Sequence, residues 1–106
     1  MRGEIYWAAV DPDRPTRPVC VVQADSLNSS APTVIVVPLV PAAPRAGWPL
    51  SLEVPTGAAG FEAPTWLQLT KPVTLGRDNL KERVGVLPAD LLDQLDHGLR
   101  VVLSLR

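Results

Sequence analysis

The run Thr33-Val34-Ile35-Val36-Val37-Pro38-Leu39-Val40 constrains this chain more than any other stretch. It is almost unbrokenly apolar and rich in β-branched side chains, which suits a central strand covered on both faces. A strand of that kind needs paired neighbours, and the sequence supplies them. Residues 4–10 roughly alternate between apolar and polar and stop at the turn signal Asp11-Pro12. The four residues Asp13–Thr16 then lead to a second strand at Val19–Gln23. Leu50–Val54 and Pro64–Thr70 read as further strands, and Arg83–Leu87 as a short edge strand.

The connections are marked by turn chemistry. Asp25–Ser30 is polar and rich in capping residues, which suits a short helical turn before Pro32. Pro41, Pro44 and Pro49, with Gly47 between them, cannot sustain a hydrogen-bonded ladder, so 41–49 is a loop. Pro55–Gly60 is a turn, and Leu75-Gly76 opens a polar turn running from Arg77 to Glu82.

One helix is clear. After Pro88, whose missing N–H costs nothing in a first helical turn, Leu91, Leu92, Leu95, Leu99, Val102 and Leu103 form one apolar stripe. Asp90, Asp93 and Asp96 fall towards the other side or its margins, and Asp90 suits the positive end of the helix dipole. Gly98 marks a place for a kink or an early stop. Short strands, Pro/Gly turns and a terminal helix predict a mainly β fold. Its form is a compact, strongly bent antiparallel sheet or small barrel, one domain over residues 1–106.

Composition excludes several function classes. The 46% of apolar residues never assemble into a run long enough to span a bilayer. The start, Met-Arg-Gly-Glu, enters a strand pattern without an apolar export segment, so the expectation is a soluble cytoplasmic protein. A net charge of −1 argues against a protein that coats nucleic acid non-specifically. Charge is unevenly spread, however. Lys71, Arg77, Lys81 and Arg83 face only Asp78 and Glu82 over 71–83, whereas 88–98 holds three aspartates and no Lys or Arg. Such a surface suits a short single-stranded ligand better than a long duplex.

Metal and phosphate-loop chemistry find no support. Cys20 sits among valines and reads as a buried hydrophobe, and His97, the one histidine, lies among polar helix residues and reads as solvated. Gly57-Ala58-Ala59-Gly60 lacks the lysine and helix of a phosphate-cradling loop. No metal or other cofactor is expected. Among the aromatics, Trp48 sits in the Pro/Gly loop, where it either stacks an unpaired base or packs over the sheet. Trp7 and Trp66 lie within strands and read as core. Lys71, near a strand end, is either a phosphate contact or a solvated lysine.

The order of motifs resembles the MazF/PemK family of toxin endoribonucleases. The resemblance rests on Arg2-Gly3-Glu4-Ile5-Tyr6, Asp11-Pro12 and Arg17-Pro18-Val19, then on Gln23, Asp25 and Asn28 with Pro32-Thr33 after them, then on Val37-Pro38-Leu39. It loosens beyond residue 40, where Arg77–Leu80 and Gly85-Val86-Leu87 match a polar turn and a Gly-x-Leu segment. It implies a small SH3-like barrel with a C-terminal helix, a homodimer, and metal-independent cutting of single-stranded RNA held in check by a cognate antitoxin. It also implies that Arg17 carries the chemistry and that Gln68 falls in a strand bearing RNA-facing residues.

The implied role for Arg17 is physically apt. A 2′-hydroxyl attacking the adjacent phosphate builds negative charge on phosphoryl oxygens, which a fixed guanidinium holds well. With a pKa above about 12, arginine is a poor proton shuttle, so charge stabilisation is its natural task. The plain alternative is a strand-end surface charge.

Two departures bear on function. Members of the family place Thr-Ser or Thr-Thr after the Val-Pro-Leu strand, and this chain has Val40-Pro41. The loop of four residues before Arg17 is also shorter than the family's. Three readings therefore stand: an RNA-cutting toxin, an RNA- or antitoxin-binding module on the same scaffold, and a gyrase-poisoning toxin like CcdB. The last lacks the Trp-containing C-terminus of those proteins, since this chain ends Leu103-Ser104-Leu105-Arg106.

Overall fold

The computed structural model describes residues 1–41 and 50–105. Within them lie the strands β1 (Glu4–Ala8), β2 (Arg17–Val21), β3 (Thr33–Val40), β4 (Ser51–Val54), β5 (Thr65–Gln68), β6 (Val73–Gly76) and β7 (Leu80–Val86). A short helix α1 (Asp25–Asn28) precedes β3, and the long helix α2 (Ala89–Val102) follows β7. All pairings are antiparallel, in the order β4-β5-β3-β2-β1-β7, with β6 beside β3. Among the described residues β4 and β7 end this path without pairing to each other, so the sheet is strongly bent but not closed into a barrel.

β3 is the hinge of the topology. Residues 33–36 pair with β6, and Leu39 and Val40 pair with β5, while 36–38 pair with β2. Pro38, which has no N–H to donate, falls where β3 passes from β6 to β5, a place where a central strand tolerates proline. The expected double cover holds only for the second half of the strand. Val34 and Val36–Leu39 are buried, whereas Thr33 and Ile35 are exposed because that face of β3 runs out beyond the helix-covered core.

Side chains divide between the two faces by strand alternation. Ile5, Cys20 and Val37 lie in register and join Leu39, Leu52, Leu67, Leu91 and Leu95 in the larger core, under α2. Val19, Val21, Val34, Val36 and Leu75 form a smaller core on the opposite face. The α2 stripe docks as its spacing predicts. Leu91 and Leu95 are buried, each contributing about 1.5–3 kcal/mol, and the helix continues through a buried Gly98 rather than breaking. Leu103 departs from the stripe, lying beyond the helix end and half exposed.

The C-terminal half of the sheet departs from the sequence reading in two places. The predicted polar turn 77–82 shrinks to one 3₁₀ turn at Arg77–Asn79, and the edge strand starts at Leu80 rather than Arg83. β6 has no counterpart in the sequence reading. Only Leu75 of its four residues is buried, so its local pattern is weak, and its ladder with β3 holds it in place. β7 crosses the 3₁₀ turn Ala58–Gly60 so closely that a Cβ on Gly85 would collide with the Ala59 carbonyl oxygen. That contact fixes the segment carrying Phe61.

The N-terminal motif is a latch. Arg2 donates through Nη2 to Asp96 on α2 at 2.5 Å and through Nε to the Val22 carbonyl at 3.0 Å. The N-terminal ammonium lies 3.1 Å from Glu4 and 3.4 Å from Asp25, and Arg83 on β7 reaches Glu4 at 2.6 Å. Gly3, at φ 88°, donates its N–H to the Val21 carbonyl and accepts from Leu87. The Gln-x-Asp-x-x-Asn segment is equally structural. Buried Gln23 donates to the Asn28 side chain at 3.0 Å, and Asn28 returns a bond to the Gln23 carbonyl at 2.9 Å.

Candidate active site

Arg17 opens β2, where the short 13–16 connection delivers it to the end of the sheet. It is half-buried and lines a cleft of about 470 Å³ with Trp7, Thr16, Pro18, Leu39, Val40, Pro41, Phe61 and Thr65. Strand register explains the assembly. Trp7 pairs with Pro18 and Leu39 pairs with Leu67, and these side chains share the face of the larger core. The cleft is thus the open end of that core, with Phe61 as its far wall.

Its electrostatics are simple. Among the described residues no carboxylate lines the cleft, and its walls apart from Thr16, Arg17 and Thr65 are apolar or aromatic. Arg2, Arg14, Arg77 and Arg83 are each tied to a carboxylate or a carbonyl. Arg17 has no such tie among the described residues. An unneutralised guanidinium between low-dielectric walls attracts an anion strongly and offers it a planar fork of donors.

Thr65, the first residue of β5, is a second unusual feature. It is only 7% exposed, yet its hydroxyl has no hydrogen-bond partner among the described residues. Leaving a buried hydroxyl unsatisfied costs about 1–3 kcal/mol. Val40 also lines the cleft and contributes neither donor nor acceptor.

The sequence-predicted residues are only partly brought together. Arg17 lines the cleft. Gln68 is half-buried on β5 opposite Ser51, and Lys71 is exposed in the turn that follows; neither lines the cleft. Trp48 lies outside the described residues. Trp7 corrects the sequence reading. It was expected in the core, but at 39% exposure it forms a wall of the cleft, because β1 extends past the helix-covered part of the sheet. With Thr16 it also borders a shallower depression shared with Lys81 and Glu82. Alternation along β1 puts Trp7 on the core face and gives no hint of where that face ends.

The remaining candidates are structural. Burial pushes the Cys20 thiol up to about 12, so it is protonated and inert. His97 is exposed on α2. Among the described residues no group of three His, Cys, Asp or Glu side chains is gathered that could hold a metal ion, and no helix is long and apolar enough to cross a membrane.

A bent antiparallel sheet under a long C-terminal helix, with a cation left unpartnered among the described residues in an apolar cleft, defines a mainly β fold suited to holding an anion. Comparison with known proteins takes this further. A family model described as a PemK-like, MazF-like toxin of type II toxin-antitoxin systems matches residues 1–103, and the chain belongs to that family. It is 36% identical to Endoribonuclease MazF6 of Mycobacterium tuberculosis over 98% of this chain and 96% of the relative. It is 28% identical to Endoribonuclease EndoA of Bacillus subtilis over 98% and 94% of the two chains. Among solved structures, the Mycobacterium tuberculosis toxin MazF-mt6 superposes with a TM-score of 0.84 at 19% identity, covering 97% of this chain and 98% of that one.

Proposed function

We propose that this protein is a toxin-type endoribonuclease that cuts single-stranded RNA without a metal ion. Its relatives carry the name endoribonuclease. The observation that carries the reading is Arg17, a cation that among the described residues has no partner and no carboxylate beside it in the cleft. In the proposed step a ribose 2′-oxygen attacks the adjacent phosphorus and the P–O5′ bond breaks. A 2′,3′-cyclic phosphate and a free 5′-hydroxyl remain, and the 2′-hydroxyl proton ends on the departing 5′-oxygen. Arg17 holds the non-bridging oxygens as their charge grows. The flat face of Trp7 stacks an unpaired base beside them, which favours single strands over duplexes. Gln68 and Lys71 meet the RNA outside the cleft.

Regulation and assembly follow the same reading. A solved mycobacterial endoribonuclease of the same fold is described in complex with its cognate antitoxin. We place this chain in the cytoplasm, as a homodimer whose cleft a cognate antitoxin covers. A binding module that holds RNA without cutting it is the second reading, favoured by Val40 in the cleft wall.

Purified protein is expected to cut single-stranded RNA in excess EDTA, and Arg17→Ala to lower the rate by about 10²–10³-fold. RNA that stays intact at high enzyme over long incubation, or an alanine variant as fast as wild type, defeats the nuclease reading. Bound but uncut RNA selects the binding module.

A further inference from the structure

Thr65 presents a problem that packing alone does not solve. The residue is more than nine-tenths buried, lines the Arg17 cleft, and leaves its hydroxyl without a partner among the described residues. Strand preference does not account for it, since valine has the same shape and β-branching and would leave nothing unsatisfied. Arg77 Nη2 is the other buried unpartnered atom among the described residues, and it has an ordinary explanation. Its guanidinium is already anchored through Nε to the Ala31 carbonyl at 3.0 Å and through Nη1 to the Met1 sulfur at 3.9 Å. Thr65 has no such anchor.

Position makes the hydroxyl useful. Thr65 starts β5, and Trp66 and Leu67 beside it pair with Val40 and Leu39, two other walls of the cleft. Alternation puts Thr65 on the same face as Leu67, towards the larger core whose open end is the cleft. The backbone under it is held on its other edge by Val54. A one-well step about χ1 re-aims the hydroxyl and breaks no hydrogen bond, because it makes none. Thr16, the other hydroxyl in the lining, is exposed and already solvated.

We propose that Thr65 is a second substrate-contacting residue of the cleft, whose hydroxyl donates to a non-bridging oxygen of the phosphate held by Arg17. This rests on the ribonuclease reading above. A rigid β-strand supplies the donor, and apolar walls strengthen the bond it makes. The phosphate then meets a charged fork from β2 and a neutral donor from β5, two strands that flank β3. Val40, without a donor, leaves that second role to Thr65.

The test compares the full-length wild type with Thr65→Val and Thr65→Ser. Single-turnover cleavage of single-stranded RNA is measured together with the urea unfolding midpoint. Affinity is also measured for an oligonucleotide carrying 2′-deoxyribose at the scissile position, which cannot be cut. Thr65→Val is expected to slow cleavage by about ten- to hundred-fold and to weaken oligonucleotide binding, with an unfolding midpoint unchanged or raised. Thr65→Ser is expected to recover most of both functions. A valine variant that cuts and binds like wild type overturns the proposal. So does one whose midpoint falls, since the hydroxyl would then be holding the fold. Should wild type cut no RNA, the ribonuclease reading fails separately, and binding of the uncut oligonucleotide still decides whether the Thr65 hydroxyl touches the ligand.

Discussion

The N-terminal latch and the Arg17 cleft each hold an arginine and treat it in opposite ways. In the latch every charge is answered: Arg2 by Asp96 and a carbonyl, Glu4 by the N-terminal ammonium and Arg83, Asp25 by the ammonium and Asn28. In the cleft, Arg17 and the Thr65 hydroxyl have no such partner among the described residues. The lesson concerns role. Satisfied charges join β1 to α1, α2 and β7, and so stabilise the fold. A buried polar group without a partner, such as the Thr65 hydroxyl, costs stability instead.

That contrast can be broken by exchanging effects between the two regions. The largest expected shift, after those at Arg17 and Thr65, is at Trp7. Trp7→Ala should weaken binding of single-stranded oligonucleotides by about 1–3 kcal/mol, and Trp7→Phe should recover much of it. Unchanged affinity in a fluorescence titration would remove Trp7 from the RNA surface. Arg2→Ala should act in the other direction. It loses two part-buried hydrogen bonds and should cost about 1–2 kcal/mol in urea unfolding, after allowing for partial solvent screening. The RNA cleavage rate per folded molecule should be unaffected. A latch variant that cut RNA more slowly while fully folded would blur the distinction.

The smallest effect is a pH dependence confined to the latch. Burial opposes the Glu4 charge, yet hydrogen bonds from the ammonium, Arg83 and Tyr6 prevail and hold its carboxyl below the usual 4.5. Its contribution is therefore present above about pH 4.5 and is lost as pH falls through the lowered value. Glu4 chiefly, with Asp25, raises the N-terminal ammonium above the usual 8.0. That contribution is complete below about pH 8 and disappears as pH rises through the raised value. Stability should thus be flat between the two limits and decline on either side. Glu4→Gln should soften both limbs, and an unchanged pH–stability curve for that variant would show that the latch carries no linkage.

Much of this was legible from residue order, for reasons particular to each element. The α2 stripe was readable because helical spacing is a local property and Leu91 and Leu95 bury as it requires. β3 was readable from its β-branched run, whereas Arg17 stood out only through the family resemblance of Arg17-Pro18-Val19. β6 was not, since four residues with one buried side chain carry no pattern apart from their ladder. Trp7 and Thr65 were missed for a common reason. Alternation says which face a side chain takes but not whether the helix covers that part of the face.

Sequence by itself determined the periodicities: most of the strands and turns, which helix face is greasy, and that an arginine stands at the head of the second strand. Those depend on neighbours within a few residues. Only the tertiary structure decided that residues 7, 17, 40, 61 and 65 meet at one open end of the core, and that Thr65 is buried there unbonded. Such meetings arise from long-range strand register and from where a helix stops, which no local pattern encodes.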